Sequence, residues 1–203
     1  MCGQFSLDLD AFTLKDEFDL VTLPEMWEAH PHIFPLQEVA TIKTPNSSEV
    51  TMMRWGLIPY WAKDMEIGRR TFNARSETLL EKPSFKKPFQ RQRCLIPASG
   101  FYEWQKGAGA GGKALPVHIQ LKSGQPFAFA GLWDLWNKME KPVLSCTIVT
   151  CPANDLISGF HDRMPVILPK ANYREWLLSA DLNALREMLK PYPGELMQLS
   201  VAG

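Results

Sequence analysis

The 203-residue chain has no apolar stretch long enough to cross a bilayer, and its start carries Asp8 and Asp10 where an export signal would place basic residues ahead of an apolar core. Those absences predict an intracellular, cytoplasmic protein that does not engage a membrane. Net charge is missing too: the 22 basic and 22 acidic side chains cancel, which excludes a polybasic coat for nucleic acid. With 45% apolar residues the chain is also no disordered polyelectrolyte. Cysteine is scarce, and Cys2, Cys94, Cys146 and Cys151 lack the paired CxxC spacing of a structural zinc site. A secreted disulfide framework would need the absent export signal. The few histidines, His30, His32, His118 and His161, form no zinc-finger or helical cluster, so neither a metal nor a cofactor is expected. No internal repeat is present. The one low-complexity run, GAGAGG at 107–112, lacks the Lys-Ser/Thr pair of a phosphate-cradling loop and is expected to connect a hairpin.

What the chain does contain points to a single domain over residues 1–203 with a sizeable core. Seven tryptophans are an unusually rich supply. The neutral total hides a strong asymmetry. Residues 1–62 set Lys15, Lys43 and Arg54 against nine acidic side chains, whereas residues 63–93 hold nine basic side chains against Asp64, Glu66, Glu77 and Glu81. That basic island, with Arg69, Arg70, Arg75 and Lys82 among its members, could attract a phosphate backbone.

Periodicity predicts a helix over Phe12–Leu20 and a hairpin of EVATIK and EVTMMRWGLI joined by TPNSS. Pro59–Arg93 breaks into loops and short helices. RCLIPAS, GFYEWQK, LPVHIQLK, PFAFAGLWDLW and VLSCTIVT then read as antiparallel strands of a sheet or barrel, with Cys94 and Cys146 as buried core thiols. Helical stretches follow at Ala153–Phe160, Ala171–Ser179 and Leu182–Leu189, the second capped by Asn172.

Four segments could carry chemistry. In MCGQFSLD, loss of Met1 would leave Cys2 with a free α-amine beside its thiol. With ordinary pKa values near 8 and about 8.5, the amine would have a usable neutral fraction and the thiol a usable thiolate fraction at cellular pH. Such an aminothiol traps an aldehyde as a Schiff base and then closes a thiazolidine ring; it could equally attack an amide, or Cys2 could be an ordinary terminal residue. In TFNARSE, Asn73 and Arg75 would share one face of an extended segment, joining an amide to a phosphate-holding guanidinium, though such a segment is also a common polar loop. In GFYEW, alternation would turn Glu103 inward while Tyr102 and Trp104 face the other way, and burial would suit its carboxyl to proton transfer near neutrality. An exposed strand glutamate is the commoner alternative. In GFHDRMPVIL, His161 could act as acid or base and Arg163 could bind a phosphate oxygen, while an HD pair is more often structural.

Taken together, MCG at the start, RWGLIPYWAKD, FNARSET, RCLIPASGFYEW, IVTCPAN and HDRMPVIL occur in an order that resembles the SOS-response-associated peptidase family, from Cys2 to about Trp176. The resemblance implies an α+β fold, with flanking helices around an antiparallel β-barrel-like sheet and a basic groove. It implies abasic-site processing, with single-stranded DNA containing abasic sites as partner and a nucleoid location when bound to it. Cys2 would then crosslink to the ring-opened sugar, Asn73 would hold the terminal amine or sugar, Glu103 would shuttle protons and His161 would assist ring opening. Arg75 and Arg163 would grip phosphates, and Pro35 and Trp61 would pack on bases flanking the lesion. The family's name reflects a presumed peptidase activity that could remove Met1 autocatalytically, and a monomer is expected. Two departures stand out. Gln4 replaces a common arginine and so removes a cation, and the ending MQLSVAG stops early, at the expense of a closing strand or tail.

Two rival readings use the same residues. An N-terminal-nucleophile amidohydrolase would use Cys2 to hydrolyse glutamine, and a noncatalytic single-strand-binding module would need only the basic island and aromatics.

Overall fold

The computed structural model describes residues 2–20, 22–23, 27–43, 49–105 and 110–201. The TPNSS turn at 44–48, Lys106 with residues 107–109 of the GAGAGG connection, and Met1 lie outside the described residues. In chain order the elements are β1 (Phe5–Leu7), α1 (Ala11–Glu17), β2 (His30–Ile33), β3 (Glu38–Lys43), β4 (Thr51–Trp55), β5 (Asn73–Arg75), α2 (Pro83–Arg91), β6 (Arg93–Ala98) and β7 (Gly100–Gln105). They continue with β8 (Leu115–Leu121), β9 (Phe127–Trp136), β10 (Val143–Pro152), α3 (Asp155–Ser158), β11 (Arg163–Pro165), β12 (Ile167–Leu168), α4 (Tyr173–Leu178), α5 (Leu182–Glu187) and β13 (Met197–Val201).

Five strands close on themselves in the order β10, β4, β3, β6, β9, because β9 pairs with both β6 and β10. Closure satisfies both edges of every barrel strand, which open sheets leave unpaired. The expected antiparallel pattern holds for most of the ring, but β10 runs parallel to β4 and to β5. Parallel pairs need long connections, and β4 ends at Trp55 and β5 at Arg75, each separated from the start of β10 at Val143 by the course of the chain through α2 and β6–β9. A second sheet, β13-β8-β7-β1-β2, lies against the barrel. The two are joined through Phe5, whose ring meets Trp55 at 5.2 Å and Phe129 at 5.6 Å in edge-on geometry. All of these rings are fully buried, and truncating any of them would cost about 3–5 kcal/mol. Cys94, Cys146 and Cys151 are buried thiols of the same core.

Local sequence explains the short helices. Asp10 accepts from the Thr13 N–H at 2.8 Å to start α1, and Asp181 accepts from the Asn183 N–H at 2.8 Å to start α5, each filling a donor that a helix start leaves open. The expected cap differs: Asn172 precedes α4, but its side chain makes no capping bond, because a 3-10 turn over Lys170–Asn172 already leads into the helix. Met197–Val201, the start of the MQLSVAG ending, forms the edge strand β13 of the second sheet, paired residue by residue with β8. Among the described residues no helix is long and apolar enough to cross a membrane.

Candidate functional site

Cys2 lies fully buried at the entry to β1, and its thiol donates to the Gln4 carbonyl at 3.7 Å. Burial pushes the thiol well above its ordinary range, and the nearby negative charge of Glu103 adds to the effect. The expectation of a usable thiolate fraction is therefore corrected: the thiol is neutral near pH 7, and its proton must be taken by a neighbour when sulfur forms a bond.

Asn73 holds Cys2 from across the chain. Its Nδ2 donates to the Cys2 carbonyl at 2.7 Å, while its buried Oδ1 has no hydrogen-bond partner among the described residues. The position follows from β5, which docks in parallel on β10 with Asn73 opposite Ile148 and with Ala74 facing the core. Asn73 and Arg75 accordingly share the other face. With Arg70 and Lys82 they line one cleft of about 390 Å³, so three cations of the basic island converge beside the amide that holds Cys2.

Glu103 is buried on β7. The strand alternates, with Phe101 and Glu103 inward and Trp104 partly exposed; Tyr102 is also covered, because its ring stacks on His118 at 4.5 Å and its hydroxyl donates to the Pro31 carbonyl. Desolvation raises the Glu103 carboxyl above the usual carboxylate range, and the charge of Asp162 reinforces the shift.

His161 follows α3 and is one-third exposed. Its Nδ1 lies 2.7 Å from Asp162 Oδ1 and accepts from the Arg163 backbone N–H at 2.9 Å. The two contacts suit different protonation states: a protonated Nδ1 donates to Asp162, and an unprotonated one accepts from Arg163. A group able to change between them in place is suited to passing a proton.

Arg163 departs from its expected role as a free phosphate grip. Its side chain is buried, Nη2 donates to Glu77 Oε2 at 2.8 Å and to the Thr150 carbonyl at 2.7 Å, and Nη1 engages the other Glu77 oxygen. That bidentate pairing holds the Glu77 carboxyl below its ordinary value and neutralises the cation. Arg69 is likewise tied, to Glu66 at 2.6 Å on the exposed side of the 3-10 turn. Both partners lie within the sequence, yet nothing in their spacing singles out Glu77, 86 residues from Arg163.

Pro35 lies half-buried in the Phe34–Gln37 turn, and Trp61 is 43% exposed with its carbonyl accepting from Lys138 at 3.1 Å. Neither lines the Asn73 cleft. Beside Trp61, Lys87 of α2 sits 4.4 Å over the Tyr60 ring. Gln4 is more than a lost cation: its buried amide lies 2.8 Å from His32 Nδ1, so the position is filled by an amide–imidazole hydrogen bond.

Comparison with known proteins places this geometry among relatives. Residues 1–202 match the family described as SOS response associated peptidase (SRAP). The chain is 43% identical over 204 aligned residues to the abasic site processing protein YoqW of Bacillus subtilis, covering 98% of this chain and 90% of that one. It is 34% identical to the abasic site processing protein HMCES of Gallus gallus, covering 74% of this chain and 52% of that protein. Among solved structures, a protein from Bacteroides thetaiotaomicron superposes with a TM-score of 0.86 at 28% identity, covering 98% of this chain and 91% of the other. A protein from Bordetella bronchiseptica also gives 0.86, at 29% identity and full coverage of both chains.

Proposed function

The chain belongs to the SOS response associated peptidase (SRAP) family, and from that premise we propose that it captures abasic sites in single-stranded DNA by closing a thiazolidine ring on Cys2 once Met1 has been removed. The observation that carries this reading is the placement of Cys2, held through its carbonyl by Asn73 at 2.7 Å at the edge of a cleft lined by Arg70, Arg75 and Lys82, with buried Glu103 alongside. The cleft cations contact phosphates, and Pro35 and Trp61 support flanking bases. Arg163 contributes by shaping the loop that carries His161, through Glu77 and Thr150.

The reaction balances without oxidant or reductant. The ring-opened sugar presents an aldehyde, and the unprotonated α-amine of Cys2 adds to its carbon, forming a C–N bond. The carbonyl oxygen gains two protons and leaves as water, giving an imine. The thiol then adds across the C=N bond, so that an S–C bond forms and the thiol proton ends on nitrogen. Because burial keeps the thiol neutral, Glu103 takes that proton and returns it. His161 passes the proton that opens the sugar, and Asn73 Oδ1 accepts from the new terminal amine.

Intact mass measurement before and after incubation with an abasic oligonucleotide tests the proposal. The expected protein mass is that of the chain lacking Met1, and the adduct mass is the sum of protein and oligonucleotide less one water. An unreactive protein, or ammonia release from glutamine in the absence of DNA, would overturn it.

Glu103→Gln is expected to slow adduct formation by about 100-fold and to remove the acid limb of the pH profile that Glu103 sets. The stability effect has the opposite sign. A carboxyl raised in the folded state favours the protonated form, so its stabilisation is complete below the unfolded value and is lost as pH rises through the folded one. Glutamine, always neutral, escapes that loss. The variant should melt with wild type in acid and above it at alkaline pH; equal melting across the range would show that Glu103 is not buried as a strained acid.

A further inference from the structure

A second cavity, of about 410 Å³, opens over β3, β4 and the start of β10 and has no part in the scheme above. Its lining includes Leu36, Glu38, Met52, Arg54 and Met65. Glu38 and Arg54 are register partners on the antiparallel β3–β4 pair, which puts their side chains on one face at about 5 Å. They form no ion pair with each other or with any other described residue, and the Arg54 Nε is buried without a hydrogen-bond partner among the described residues. A buried guanidinium nitrogen left so costs stability unless a ligand supplies the acceptor.

The wall of the cavity is strained independently. Leu36 has φ 76°, a left-handed conformation that is unfavourable for a bulky residue. Three hydrogen bonds impose it: Leu36 N–H to the Trp55 carbonyl at 2.7 Å, Trp55 N–H to the Gln37 carbonyl at 2.8 Å, and Phe34 N–H to Gln37 Oε1 at 2.7 Å. They set Leu36 against Gly56, whose φ of +146° and lack of a Cβ are both needed, because a Cβ there would lie 2.7 Å from the Gly68 carbonyl oxygen. The same close approach seats the 3-10 turn Met65–Arg70 as a ridge with Met65 on the cavity side and Arg70 on the cleft side. At about 2 Å rise per residue, the ridge spans a few nucleotides of an extended strand.

We propose that this cavity receives a guanine base of the strand that flanks the processed site, with Arg54 donating to O6 and N7 and Glu38 accepting from N1–H and the N2 amino group. The inference rests on the single-stranded-DNA reading of the chain. Guanine is the base that presents two adjacent acceptors on one edge and two adjacent donors on the next, so it alone satisfies both residues bidentately. Pro35 and Phe34, which is 45% exposed, lie in the turn at the cavity wall, where a strand entering from the cleft would pass.

The test uses the full chain and intact thymine strands with no abasic site, each carrying one guanine, adenine, cytosine or hypoxanthine at successive positions, with affinity read by fluorescence anisotropy. Guanine at one register should bind about tenfold tighter than adenine or cytosine, with hypoxanthine, which lacks the N2 amino group, between them. Arg54→Met should abolish the preference, and Glu38→Gln, at an exposed position that folding tolerates, should erase the difference between guanine and hypoxanthine. Equal affinity for all bases in wild type, or a guanine preference that survives both substitutions, overturns the proposal. Adduct formation on abasic strands is scored in parallel: adducts without base preference remove only the guanine site, whereas base preference without adducts removes the capture chemistry and leaves the site standing.

Discussion

In the Cys2→Ala variant the denaturant-resistant adduct with abasic single-stranded DNA should fall by on the order of 100-fold or more, because the sulfur that closes the ring has gone and the intramolecular advantage goes with it. The amine survives this substitution. Borohydride should therefore still trap an imine, whereas a chain acetylated at its amine should give neither product even with its thiol intact. Binding to an undamaged strand should change little, since Cys2 is fully buried and the cleft cations are Arg70, Arg75 and Lys82. Loss of one small buried side chain should cost about 1 kcal/mol, too little to unfold the protein. Denaturing gel electrophoresis with and without reductant separates the products. An unreduced adduct as abundant in Cys2→Ala as in wild type would eliminate ring closure as the source of its stability.

Arg93→Met should lower stability by about 3–5 kcal/mol, measured by urea denaturation. Arg93 begins β6, is buried, and donates to five backbone carbonyls: those of Phe89 and Gln90 at the end of α2, and those of Trp176, Leu177 and Ser179 around α4. Its guanidinium also lies 6.0 Å from the Trp176 ring centroid. Burial alone pulls its pKa below the usual arginine value, and the carbonyl array offsets that desolvation. Methionine replaces the side chain's volume but none of its donors, so the carbonyls at the ends of two helices lose their partners together. Arg93→Lys should recover only part of the loss, because an ammonium cannot span the same fan of acceptors. A change below about 0.5 kcal/mol, the range of ordinary surface substitutions, would show that the two helices are held without it.

Arg93 marks the boundary of what can be read along the chain. It was one of nine basic residues in an island that composition alone would assign to a phosphate-binding surface. Folding divides that island: Arg70, Arg75 and Lys82 reach the cleft, Arg69 pairs with Glu66, and Arg93 becomes an internal clasp. Arg163 was expected at a phosphate and is bound instead to Glu77. Charge is a property of a residue, but whether it is available depends on which acceptors the fold brings within reach.

The residue pattern alone determined most of the strands, the inward face of Glu103 and the common face of Asn73 and Arg75, because alternation is set by backbone geometry within a few residues. It also marked Cys2 as the position where loss of Met1 would leave a free amine beside a thiol. Tertiary structure decided the closure of the barrel through the parallel β10–β4 and β10–β5 pairs, the grip of Asn73 on Cys2 and the loss of thiolate character at Cys2. Each of those depends on contacts between distant segments and on exclusion of water, and neither is encoded in the spacing of neighbours.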